Sequence, residues 1–352
     1  MIAAAVAAVA LTRGPVAESV TQRRAIISFR TASPDHAFVI LQNGARVDAG
    51  TGVDHVARLT RLTPGMHYTY TVRAGSGVIA RGTFRAAPAR AGRFTFAVVG
   101  DFGSGNENEV AVASMIESWN PDFVLTVGDN AYPLGSAGLL DRDIFGPYAA
   151  VMRRSAWFPA LGNHDVKANG GRPELEAFHS LGNERWYRFA WGNTGVVVLD
   201  SNVSVGPGSQ QLRFARSALA LPSCFRFAAW HHPPWEPPGN RIAPGLRRNI
   251  VPLVEKNGVQ VVFEGHLHAY ARSRPRHGVL YVTVGTGGAE LEYDAGDLTI
   301  PSARVVQGHY GALRVDVAGR AARLRYQTVD GKVRDDFRLS CSRGHVRSSS
   351  GR

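Results

Sequence analysis

The sequence predicts an α/β protein in two parts, a small β-sandwich followed by a layered α/β domain. Three observations carry this. Residues 14–88 read as short strands throughout, rich in Val, Ile, Phe, Tyr and Thr and punctuated by Gly, Pro, Asn and Asp. Beyond residue 93 the pattern changes to apolar strands alternating with helices, as expected of a sheet covered by helices. Five of those apolar strands run directly into Asp, Asn or His, the side chains that bind metals or move protons.

Taken in order, residues 1–11 (MIAAAVAAVAL) are apolar and end in small residues, so 1–13 read as the remnant of a signal-like segment, although a basic start is missing. No later run reaches the ~18 apolar residues of a membrane-spanning helix. The expectation is a secreted or cell-surface protein without a transmembrane segment. Strands are predicted at 25–31, 37–42, 55–62, 68–73 and 78–85, at the spacing of a small sandwich spanning 14–88. Residues 86–93 (AAPARAGR) have linker composition and put the boundary at 89–93.

The second part, 94–341, starts with a strand at 94–99 that ends in Gly100-Asp101-Phe102-Gly103. A helix follows at 106–119, with Asn106 as N-cap and Glu109 at capping-box spacing. Its residues Val112, Met115, Ile116 and Trp119 share one face. The strand 122–127 leads to Asp129 and Tyr132, 157–161 to Asn163 and His164, and 196–199 to Asp200 and Ser201. After a helix at 210–219, the strand 225–230 leads to His231. After a helix at 250–256, the strand 259–263 leads to His266 and His268, and 280–284 leads to Gly285-Thr286-Gly287-Gly288. Residues 309–339 return to strands, and the Ser-, Arg- and Gly-rich stretch 342–352 reads as a disordered tail.

Lys plus Arg number 40 against 28 Asp plus Glu, a formal charge of +12 carried almost wholly by Arg. Such a surface attracts phosphate-bearing molecules. No basic block is interleaved with aromatics, so no nucleic-acid partner is expected. Two cysteines, Cys224 and Cys341, exclude a disulfide scaffold. They are either one bridge, tying the C-terminal strand to the strand before His231, or two thiols. The sequence leaves both open.

The donors Asp101, Asp129, Tyr132, Asn163, His231, His266 and His268 are seven oxygens and nitrogens without a thiolate, a set suited to Fe, Mn and Zn. Singly, each has a plainer reading as a turn residue, a cap or a satisfied strand-end histidine. Together they divide cleanly: if Asp129 bridges, the other six split three and three. His266 and His268 lie two apart, so on an extended chain both point the same way and each reaches a different ion. Two ions ~3.5–4 Å apart clamp in-line displacement at phosphorus. Asp165 and Asp200 are expected to orient neighbours or hold loops; Glu264 on an extended segment either shares the face of His266 or tips away, and the sequence leaves both open. Gly285–Gly288 reads as a tight turn or a close approach to substrate.

The five blocks Gly100–Gly103, Gly128–Tyr132, Gly162–Asp165, Trp230–Pro234 and Gly265–His268 resemble, in order, the GDxG, GDxxY, GN(H/E), strand-ending His and GHxH blocks of calcineurin-like metallophosphoesterases, most closely the purple acid phosphatases. Leu62-Thr63-Pro64-Gly65-Met66-His67-Tyr68-Thr69-Tyr70 resembles the turn and strand of fibronectin type III-like domains. The resemblance spans 14–339. It implies a fibronectin type III-like sandwich followed by a four-layer αββα metallophosphoesterase domain. By the same resemblance Asp101, Tyr132 and His268 hold Fe(III), Asn163, His231 and His266 hold a divalent Zn, Fe or Mn, and Asp129 bridges. A phenolate of Tyr132 on iron gives the purple colour. His164 is the catalytic group beside the substrate, with His232 a second candidate. The implied reaction is attack of metal-bound hydroxide on small phosphomonoesters at acidic pH, with specificity in loops 133–147 and 235–248. The alternatives are a phosphodiesterase on the same scaffold and a non-catalytic binding protein.

Overall fold

This computed structural model describes residues 9–235, 245–292 and 301–341, together with the backbone of Val346–Ser350. Most of the signal-like segment, part of the second specificity loop (236–244) and parts of the tail lie outside the described residues.

The N-terminal strands are β1 (Leu11–Glu18), β2 (Ala25–Leu41), β3 (Arg46–Leu59), β4 (His67–Ala74) and β5 (Gly77–Arg85). The strands predicted at 25–31 and 37–42 are one, β2. The turn signal Ser33-Pro34-Asp35 between them is absorbed by a register shift on β3 between Arg30 and Asp35, where a proline lacking an N–H is tolerated. β1 was not among the predicted strands. It pairs antiparallel with β2 and parallel with β8 (Ala156–Phe158), Ala17 opposite Ala156 and Glu18 opposite Trp157. The N-terminal module is thereby hydrogen-bonded into a sheet of the second part.

Two sheets build the second part. In the first, β6 (Arg93–Val99), β7 (Phe123–Thr126) and β8 run parallel, and β16 (Gly311–Ala318), β17 (Ala321–Thr328), β18 (Val333–Cys341) and β19 (Val346–Ser350) add antiparallel beside β6. The strand β19 falls within the stretch read as a disordered tail: its backbone pairs with β18 from Phe337 to Cys341. In the second sheet, β10 (Thr194–Val198), β11 (Phe225–Ala229), β12 (Val261–Glu264) and β14 (Leu280–Val284) are parallel. Its antiparallel members are β9 (Tyr187–Trp191), β13 (Tyr270–Ser273) and β15 (Ser302–Val306).

Three apolar layers separate four layers of structure. Phe96, Phe123, Phe158, Phe189, Phe227 and Phe263 fill the space between the sheets, with Phe158 stacked on Phe189 at 3.8 Å. Val112 and Ile116 of the helix Glu107–Trp119 pack with Trp157 outside the first sheet. Leu212, Ala215 and Val254, from the helices Gln210–Leu219 and Val251–Lys256, pack outside the second. Asn106 caps the first helix by accepting from Glu109 N–H. Glu109 does not close the box on Asn106. Its carboxylate accepts from the N–H groups of Ser104 and Gly105 instead, bracing the loop after β6. Cys224 and Cys341 form a disulfide with Cα atoms 5.4 Å apart, joining the start of β11 to the end of β18 and so one sheet to the other. Among the described residues no helix is long and apolar enough to cross a membrane.

Candidate metal centre

Every predicted donor lies just beyond the C-terminal end of a parallel strand, where open α/β sheets place their ligands. Asp101 follows β6, Asp129 and Tyr132 follow β7, and Asn163 and His164 follow β8. From the second sheet, His231 follows β11, and His266 and His268 follow β12. Because the sheets pack face to face, these ends meet on one rim.

The loops turn sharply to aim the donors. Asp101, Asp129 and His266 have φ of 55°, 51° and 70°, the left-handed region that non-glycine residues adopt only when their surroundings hold them there. Gly162 lets two of the loops touch: a Cβ there would collide with the Asp129 backbone nitrogen. The reading of Gly265–His268 as extended chain needs correction. His266 breaks it with its positive φ, and Leu267 N–H donates to Gly265 O at 2.9 Å while Ala269 N–H donates to Leu267 O at 2.7 Å. The two histidines still reach the centre, but through tight turns and with different ring nitrogens. For the same reason Glu264, buried at the end of β12, need not share the face of His266.

The donors gather in two groups that meet at Asp129. In one, Tyr132 Oη lies 3.2 Å from Asp101 Oδ1, 3.1 Å from Asp129 Oδ2 and 3.1 Å from His268 Nε2. In the other, Asn163 Oδ1 lies 2.9 Å from both His231 Nε2 and His266 Nδ1, and His231 Nε2 lies 3.4 Å from Asp129 Oδ2.

Protons do not satisfy this arrangement as neutral groups. His231 Nδ1–H donates to Val127 O at 2.9 Å, which assigns the tautomer and leaves a lone pair on Nε2 facing the Asn163 carbonyl oxygen, also an acceptor. His268 Nδ1–H donates to Glu290 O, so its Nε2 lone pair faces Tyr132 and Asp101. Tyr132 has one proton for three acceptors. Lone pairs that converge this way call for cations between them. Among these side chains alone, burial opposes charge on His231 and His268, yet Asp129 lifts His231 to about 10 and Asp101 lifts His268 to about 9. Burial and the same two carboxylates hold Tyr132 far above the ordinary phenol range. His266 is pushed down to about 4 by burial and by His231.

The catalytic candidates flank these groups. His164 N–H donates to Asp129 Oδ1 at 2.7 Å and its Nδ1 lies 2.9 Å from Pro133 O. Its ring lies 4.4 Å from that of Tyr132. His232 stands on the opposite side, 4.7 Å from the His266 ring, with Nδ1 2.8 Å from Ser201 Oγ. Burial and His231 push it down to about 3. Its ring nitrogen also groups with those of His231 and His266, all within 4.8 Å.

Behind the donors sits a buried polar layer that the sequence hardly announces. Asp165 accepts from the N–H groups of Asn130 at 2.8 Å, Ala131 at 3.1 Å and Gly162 at 2.7 Å, locking the Asp129 loop to the Asn163 loop. Asn130 donates to Ala160 O, Asp165 and Glu174. Burial pushes Asp165 up to about 7, and raises Glu174 strongly. Asp200 accepts from Asn202 N–H at 2.8 Å and from Arg185 Nη1 at 3.0 Å, holding the loop after β10. Gly285–Gly288 packs on the Asp101 loop, Gly287 N–H donating to Gly100 O at 3.0 Å. Asn130, Glu174 and Lys167, whose Nζ lies 3.0 Å from His164 Nδ1, were missed by motif reading. For Asn130 and Glu174 the only signal is a polar residue buried beside a motif. For Lys167 it is compositional, since lysine is so rare in this chain.

Residues 94–270 match the sequence profile of the calcineurin-like phosphoesterases. The chain belongs to that family. Purple acid phosphatase 15 of Arabidopsis thaliana is 23% identical over 289 residues, covering 68% of this chain and 54% of that protein, so the chain spans about half the length of this relative. Tartrate-resistant acid phosphatase type 5 of Mus musculus is 26% identical, covering 51% of this chain and 65% of the relative. A purple acid phosphatase from yellow lupin (Lupinus luteus) superposes with a TM-score of 0.80 over 94% of this chain and 74% of its own, at 19% identity. The mixed α/β fold is thus that of the metallophosphoesterases.

Proposed function

We propose that this protein is a dinuclear-metal phosphohydrolase that cleaves small phosphomonoesters. The observation that carries the reading is the convergence of acceptor atoms in two groups sharing Asp129. Asp101, Tyr132 and His268 would hold one ion with Asp129, and Asn163, His231 and His266 the other. The first group, with two carboxylates and a phenol, suits Fe(III), and the second, with the shared carboxylate, two imidazoles and an amide, suits divalent Zn, Fe or Mn. Both cysteines are in the disulfide, so no thiolate competes. When bound, such a pair supplies Lewis acidity and lowers the pKa of water.

The chain's own residues do the rest. Asp129 fixes the spacing of the two groups and, through Oδ1, the His164 backbone. His164, anchored at Pro133 O, would stand beside the leaving oxygen. His232, held by Ser201, lines the other side of the site. The N-terminal module is read as a fibronectin type III-like β-sandwich. The disulfide is consistent with a secreted or cell-surface protein, since such bridges persist in oxidising compartments.

Hydrolysis of phenyl phosphate and of bis-phenyl phosphate by metal-loaded protein across pH 4–9 tests the reading. Faster monoester cleavage at acid pH is expected. Faster diester cleavage would move the function to a phosphodiesterase, an activity named in a barley relative 24% identical, the nucleotide pyrophosphatase/phosphodiesterase. No cleavage of either with two ions bound would overturn it.

A further inference from the structure

Lysine occurs three times in this chain, at 167, 256 and 332, against 37 arginines. One of the three stands at the proposed site. Lys167 Nζ lies 3.0 Å from His164 Nδ1 and 3.2 Å from His164 Nε2. Because His164 Nδ1 is engaged with Pro133 O, the nitrogen left to accept from the ammonium is Nε2. The side chain is exposed. No carboxylate pairs with it among the described residues, whereas Lys332 is paired with Asp330 at 3.7 Å. Four residues before it, Asn163 belongs to the second donor group. Lys167 is therefore an uncompensated cation beside the histidine that faces the leaving oxygen.

We propose that Lys167 is a specificity-determining residue that binds a second phosphate on the leaving group, so that the site favours a terminal phosphate in anhydride linkage over a plain ester. This rests on the phosphohydrolase reading above. The physical reason is charge placement. An ester's leaving alkoxide needs a proton as the bond breaks. A leaving phosphate spreads its charge over several oxygens and needs a cation, which an ammonium supplies as a point charge. In the step, a water oxygen bonds to the terminal phosphorus. The bond from that phosphorus to the bridging oxygen breaks, its electron pair leaves with the departing phosphate, and one water proton passes to solvent. The ammonium keeps its three protons throughout, donating hydrogen bonds to the departing group.

The test compares the wild type, Lys167→Ala and Lys167→Arg, all metal-loaded, in two assays. One is kcat/KM for inorganic pyrophosphate and for phenyl phosphate. The other is calorimetric affinity for inorganic pyrophosphate and orthophosphate. Losing one charge-assisted hydrogen bond, about tenfold or more, is expected to lower Lys167→Ala on pyrophosphate at least tenfold further than on phenyl phosphate, mostly through KM, with Lys167→Arg recovering most of the difference. Equal losses on both substrates, or no loss on either, would overturn the assignment. If the wild type cleaves neither substrate, the phosphohydrolase reading fails, and the affinities decide about Lys167. A preference for pyrophosphate over orthophosphate that disappears in Lys167→Ala supports it, and an unchanged preference overturns it.

Discussion

The two donor groups are built from the same rim but not from the same chemistry. Asp101, Tyr132 and His268, with Asp129, crowd two carboxylates and a phenol around one point, with Tyr132 Oη within 3.2 Å of three acceptors. Asn163, His231 and His266 offer an amide and two imidazoles beside the shared Asp129, and His231 is fixed from behind by a backbone carbonyl rather than by a charge. The first group is starved of positive charge. The second is arranged in geometry but modest in field. On the function proposed above, this difference would place the ion of higher charge with the first group, and Asp129, which touches both, would join them into one site.

Breaking that link should have the largest effect. Asp129→Asn keeps the shape and removes the shared negative charge, so both ions should be lost. Turnover should fall on the order of 10³-fold, since metal charge stabilisation is worth several kcal/mol at ~1.4 kcal/mol per decade. Elemental analysis beside kcat checks this, and a variant that kept two ions and full rate would refute Asp129 as the joint.

The halves can next be separated. Tyr132→Phe should abolish the visible charge-transfer band while a divalent ion stays bound, and Asn163→Ala should do the reverse. Each should cost about 10²-fold in rate, on the scale of one preorganised electrostatic group. Absorption spectra and metal content together read the outcome. A band that survives Tyr132→Phe would rule out Tyr132 as the iron ligand.

How far the sequence reached differs along the same line. The donors were legible because each ends an apolar run, and strand-end placement follows from the run itself. Their fine geometry was not. The φ of 70° at His266 comes from tight turns that pattern reading takes as extended chain, so the orientation of Glu264 relative to His266 was left open. The fold was legible where strands alternate with helices. It was not legible at β1, whose partner β8 is more than a hundred residues away in sequence. A pairing of that separation leaves no local trace. Nor does the capping box at Asn106 and Glu109, right in spacing, reveal that Glu109 serves the loop before the helix.

The layer behind the donors sharpens the comparison further, because it serves one loop of each group. Asp165 ties the Asp129 loop to the Asn163 loop through three backbone N–H groups. Asp165→Asn turns one of its acceptor atoms into a donor aimed at those groups. Supporting partners of this kind are worth about 10–100-fold in affinity or activity. The expected loss falls on the divalent half, whose Asn163 sits two residues away, and titration with zinc measures it. Equal weakening of the iron half would show that Asp165 supports the rim as a whole.

The smallest expected effect on the site itself separates support of a strand from chemistry at its end. Asn163 hangs from β8, and β8 is flanked by β1, where Glu18 pairs in register with Trp157. Glu18 is buried. Burial raises its carboxyl to about 8, against a weaker downward pull from the His179 N–H. In the unfolded chain the same group titrates near 4.5. Between those values the folded state holds the proton more tightly than the unfolded state, so this group's contribution to stability is greatest below about 4.5 and is lost as pH rises toward about 8. Glu18→Gln cannot titrate. It still accepts from His179, and any packing penalty it carries is constant with pH. The stability of the wild type, read from its melting curves, should therefore fall relative to Glu18→Gln across this window, by a difference on the order of a few kcal/mol. Glu109, also raised to about 8, is present in both proteins and cancels. Metal content should not change. Parallel melting curves from pH 4.5 to 8 would show that Glu18 enters the fold already neutralised by its neighbours, and that the seat of the Asn163 half is insensitive to charge.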